Sequence, residues 1–63
     1  MDKKAMMQAR HDRLAHEIQM MVNDAEHWNR VHPTLRPIDA DALAAEPRAI
    51  LAGLAEKLGL SHG

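Results

Sequence analysis

Apolar residues recur along the first half of the chain in a 4-3 rhythm. Met7, Leu14, Met21 and Trp28 stand seven apart, and His11, Ile18 and Ala25 each follow one of the first three by four residues. Ala15 and Val22 widen this seam, whereas Asp12, Arg13, His16, Gln19, Asn23, Glu26 and Arg30 fall on the other side, the pattern of an amphipathic bundle helix. No Gly or Pro interrupts the stretch from Asp2 to Arg30, and Ile18 and Val22 are its only β-branched residues. The spacing therefore predicts one long helix.

The rhythm stops at Val31, where the chain reads VHPTLRPI to Ile38. Two prolines four apart lack N–H donors and push their predecessors toward extended backbone, which predicts an elbow. Its apolar members Val31, Leu35 and Ile38 are expected to fold over the end of the seam near Trp28. Asp39 then has the character of an N-cap, with Ile38 and Leu43 in hydrophobic-staple positions and Asp41 adding a carboxylate to the positive helix end. Leu43, Pro47, Ile50, Leu51, Leu54 and Leu58 keep one apolar phase, and Gly59 followed by Leu60 suits a Schellman stop. Pro47 either kinks a single helix from Ala40 to Leu58 or starts a fresh helix after a short turn, and its fitness for a first helical position favours the split.

These elements predict an all-α fold: residues 1–63 form one helical-hairpin domain, with a long N-terminal helix, a proline-rich elbow and a shorter C-terminal helix either kinked or split at Pro47. Two unequal helices cover each other incompletely, and 63 residues without cysteine have neither a large core nor a disulfide to hold them. The chain is 46% hydrophobic, but Ala supplies eleven of those residues and Trp28 is the only aromatic, so bulky core residues are few. A homodimeric bundle with C2 symmetry is the expected remedy. Its core and dimer seam would comprise Met7, His11, Leu14, Ile18, Met21, Trp28, Leu43, Ile50, Leu51, Leu54 and Leu58, with Trp28 as the plug and His11 as a register-setting polar residue.

Composition narrows the function. No stretch approaches the length of an apolar membrane span, and Arg10, His11, Asp12 and Arg13 break any secretory leader, so the chain is expected in the cytoplasm and off the membrane. One Ser, one Thr and no Cys or Tyr leave nucleophilic catalysis without a nucleophile, and Gly53, Gly59 and Gly63 match no phosphate-cradling motif. No cofactor is therefore expected. Five histidines raise the question of a metal, since Asp12 and His16 are spaced i, i+4, but that pair falls short of the three or four ligands a site needs. A net charge of −1 and the interleaving of Lys3, Lys4, Arg10 and Arg13 with Asp2, Asp12 and Glu17 argue against nucleic-acid binding.

What remains is recognition of another protein. Met6 and Met20 lie off the seam on one stripe of the first helix, flanked by Arg13 and Glu17, and an adaptable exposed apolar stripe of that kind marks a partner site. The segment DAEHWNRVHPTLRPID, from Asp24 to Asp39, and the build around it resemble small helical accessory proteins of Mu-like Pseudomonas phages, of the quorum-sensing anti-activator type. That resemblance implies a small helical dimer without catalytic activity that binds a host LuxR-type transcription factor and blocks its DNA contact. The alternative expectation is a dimeric RNA- or DNA-binding hairpin of Rop-like architecture.

Overall fold

The structure is a computed structural model that describes residues 2–59. Two helices make up the fold, α1 over Lys3–Val31 and α2 over Ala40–Lys57, packed on each other as a hairpin with no strand among the described residues. The all-α hairpin expected from the periodicity is the architecture observed. Neither helix is long and apolar enough to cross a membrane.

The ends of the helices follow from local chemistry. Asp2 caps α1 by accepting from the Lys4 backbone N–H at 3.2 Å, and Asp39 caps α2 by accepting from Ala42 at 3.1 Å. Arg30 and Lys57 place positive charge in the two last turns, where the helix dipole is negative. At the end of α2, Gly59 adopts φ +74° and its N–H donates to the Glu56 carbonyl at 3.1 Å, which is one of the two bonds of a Schellman turn. Leu60, the expected donor of the other bond, lies outside the described residues.

Between the helices, His32 to Asp39 run without regular structure through Pro33 and Pro37. This stretch is tied down by Asn29, whose carboxamide donates to the Ile38 carbonyl at 2.9 Å and accepts from the Ile38 N–H at 2.7 Å. A side-chain amide thus pairs with a peptide as a second peptide would, and it fixes where the chain re-enters α2.

Pro47 departs from the favoured expectation. It does not start a new helix; it sits inside a continuous α2, where the missing N–H and the ring's clash with the preceding turn cost about 3 kcal/mol. The apolar phase explains its tolerance. Ala40, Ala44, Pro47, Leu51 and Leu58 are all buried or half-buried on one face, so a break at Pro47 would uncouple the two halves of the surface that packs on α1.

The core itself is small. Among the described residues only Ile18, Ala25 and Ala44 are buried, and no large side chain is fully enclosed. Met7, His11, Leu14, Met21, Leu51, Leu54 and Leu58 are half-buried around them. Trp28, Leu43 and Ile50 are different: at 44%, 48% and 56% exposure they do not plug the hairpin. Nor do Val31 and Leu35, exposed by more than half, fold over its end. The cause is rotational. Ala25 and Ala44, at 3% and 0% exposure, occupy the inward faces of the two helices near the connection, and their larger neighbours Trp28 and Leu43 lie along the side.

Candidate functional site

With His11, Ile18 and Ala25 along the centre of its inward face, α1 carries two flanking rows three and four residues apart. One row, through Arg10, Leu14, Glu17, Met21, Asp24 and Trp28, holds bulky apolar groups spaced by charges. The other, through Gln8, Asp12, Ala15, Gln19, Val22 and Glu26, is mostly polar. On α2 the corresponding rows are Leu43, Pro47, Ile50 and Leu54 on one side and Asp41, Ala45, Arg48 and Ala52 on the other. The hairpin therefore has an apolar broad face and a polar one.

The polar face is satisfied locally. Gln8 donates to Asp12 at 3.0 Å and Gln19 to Asn23 at 3.0 Å, while Arg48 meets Asp41 at 3.1 Å in an exposed ion pair. Asp12 also receives the His11 ring Nδ1 at 3.1 Å. That hydrogen bond first, and the one from Gln8 second, stabilise the carboxylate and hold the Asp12 pKa below its ordinary 3.8. Asp12 thus turns to its neighbours and not to His16, and no group of three or more potential metal ligands exists among the described residues.

The apolar face carries two adjoining depressions. The first is a groove lined by Met21, Asp24, Ala25, Trp28, Ile38 and Leu43, with Asp24 as its one charged group. Ile38 and Leu43, the two staple residues of α2, form its wall from the far side. The Trp28 ring lies 4.1 Å centroid to centroid from the His32 ring, tilted by 45°, so the indole is braced from the connection. The second depression is lined by Arg10, Arg13, Leu14, Glu17 and Ile50. Leu43 is therefore level with the Met21–Trp28 half of α1, and Ile50 with the Arg10–Glu17 half.

Along the outer edge of α1, away from α2, Met6 is 55% and Met20 48% exposed. Met6 shares a shallow depression with Ala9, Arg10 and Arg13. Arg13 lines both this depression and the one shared with Glu17 and Ile50, so it and Glu17 stand where the edge meets the apolar face. Sequence reasoning missed the groove formed by Trp28, Ile38 and Leu43 because it assigned Trp28 and Leu43 to the core. Both surfaces combine apolar and charged side chains, and neither brings together a nucleophile, a base and an orienting group among the described residues. Comparison with protein families, with characterised proteins and with solved structures finds no match to this chain.

Proposed function

We propose that this chain is a non-enzymatic protein-interaction module that acts as a homodimer. The observation that carries the reading is one of distribution. Among the described residues eight large hydrophobic ones (Met6, Met20, Trp28, Val31, Leu35, Ile38, Leu43 and Ile50) are exposed by between 38% and 56%, whereas the only buried ones are one Ile and two Ala. Scattered exposed apolar residues are ordinary; several on one face with a residual core this small mark surfaces that function when covered.

Two coverings divide the surface. A second copy takes the broad apolar face, and a different protein takes the outer edge of α1, where Met6 and Met20 offer adaptable contacts and Arg13 and Glu17 give charge selectivity. The partner class that the phage anti-activator resemblance implies is a LuxR-type transcription factor, displaced from DNA by stoichiometric binding and without catalysis. Adding the protein to such a purified factor should weaken its retention of promoter DNA in a gel-shift assay. The variant with Met6→Lys and Met20→Lys should keep its helical circular-dichroism signal and dimer mass yet lose this effect, because both side chains point away from α2. Unimpaired inhibition by the double variant contradicts the assignment of the edge. Retention of the protein itself on a nucleic-acid duplex, falling steeply with salt, supports the Rop-like alternative instead.

A further inference from the structure

We infer that the broad apolar face is an antiparallel self-docking surface, with a two-fold axis crossing the hairpin between Leu14 and Met21 on α1 and between Leu43 and Ile50 on α2. This rests on the dimeric reading above and specifies its geometry.

The need for a second layer comes from shape. The molecule measures 49 × 25 × 15 Å, and its least dimension is little more than one helix diameter, so the hairpin is a single layer where a stable domain has two. It exposes 5182 Å², about a quarter more than the roughly 4,100 Å² of a compact monomer of 7.1 kDa.

That the second layer is another copy follows from the symmetry of the face with itself. Leu14 and Met21 lie three and four residues on either side of Glu17, the midpoint of α1, and Met7 and Trp28 ten and eleven, while Leu43 and Ile50 are equidistant from the Glu46–Pro47 link of α2. The two midpoints lie level, because Leu43 shares a groove with Met21 to Trp28 and Ile50 shares one with Arg10 to Glu17. Turning a second copy end over end about this transverse axis lays its Leu14 and Ile50 over the first copy's groove of Met21, Trp28 and Leu43. The reciprocal contact forms at the other end. Leu54 of each copy then falls near Ile38 of its mate.

Charge selects the direction. Along the row that holds Leu14 and Met21, Arg10 precedes the midpoint and Asp24 follows it, so the antiparallel arrangement sets Arg10 of one copy beside Asp24 of the other, twice, with Glu17 meeting its counterpart at the axis. A parallel pair would stack Arg10 on Arg10 and Asp24 on Asp24, which opposes association. The midpoint register also overlaps α1 along its whole length, covering Trp28, Ile38 and Leu43 at one end and Leu14 and Ile50 at the other.

The chain has no cysteine, so single cysteines report the geometry directly. Glu17→Cys lies beside the axis and should form a disulfide-linked dimer on mild oxidation. Arg10→Cys alone should not, because its two copies sit roughly 20 Å apart by the 1.5 Å helical rise, but mixed with Asp24→Cys it should give the crossed dimer. All three positions are on the surface, so each variant should retain its helical signal. The same pattern should appear when Arg10 and Asp24 carry small maleimide crosslinkers in place of a direct disulfide. A wild-type protein that sediments as a monomer overturns both this geometry and the dimeric reading. A dimer in which Arg10→Cys links to itself, or Glu17→Cys does not link, overturns the antiparallel face alone and leaves the dimeric reading standing.

Discussion

Among the described residues Asn29 is the polar side chain that ties the end of α1 to the start of α2. Its two hydrogen bonds to the Ile38 peptide join residues nine apart and set the path between the helices. Each is worth about 0.5–1.5 kcal/mol net, so Asn29→Ala should cost about 1–2 kcal/mol in urea denaturation, while Asn29→Asp, which keeps only the acceptor, should fall between. A loss no larger than that of a neighbouring exposed helix position would contradict the pinning role. Asp12 offers a second test. Its folded pKa is depressed by hydrogen bonds from His11 and Gln8, so its contribution is fully present above 3.8 and is lost as the pH falls through the lower folded value. An NMR titration should place the Asp12 carboxyl below 3.8, and Asp12→Asn should flatten the acid limb of the stability profile. A midpoint at or above 3.8 would contradict the bonding seen. Neither role was legible in the sequence, because Asn and Asp on a helix surface carry no local signal of which backbone they will meet; Asp39, just before an apolar helical phase, does carry one, and its cap was foreseen.

At the scale of the elements, what could be read from the sequence and what could not part company at the rotation of the helices. The extent of α1 follows from an unbroken run without Gly or Pro, and the start of α2 from Asp39 after Pro37. The seam through His11, Ile18 and Ala25 was also present in the pattern, but the row through Met7, Leu14, Met21 and Trp28 was equally apolar. A period of 3.6 does not rank two adjacent apolar rows. The structure buries Ala25 and Ala44, one on each helix, and leaves Trp28 and Leu43 exposed. Pro47 shows the same priority of packing over local preference. With α2 continuous through it, Pro47→Ala restores one backbone N–H and removes the ring's clash, a gain of up to about 3 kcal/mol offset by the buried ring atoms lost. A net rise of about 1–2 kcal/mol in stability is expected by chemical denaturation. A fall would mean that the proline ring contributes more to the packing against α1 than it takes from the helix.

Viewed whole, the molecule is a thin slab with a polar face, an apolar face and too little between them. Three buried residues among those described, two of them alanine, give a hairpin of this length few of the contacts that offset the entropy of ordering it. The apolar groups that would do so are present, but they line the grooves of Trp28, Ile38 and Leu43 and of Leu14 and Ile50 on one side. In the proposed dimer, assembly is part of folding: the second copy completes the core, and the outer edge with Met6, Arg13 and Met20 is left to another protein, Glu17 standing at the border of the two surfaces. Sedimentation equilibrium across a wide range of protein concentration, with helical content followed on the same samples, tests this most directly. The account predicts a species of twice 7.1 kDa that loses helix as it dissociates on dilution. A 7.1 kDa monomer that stays fully helical at every concentration would contradict it.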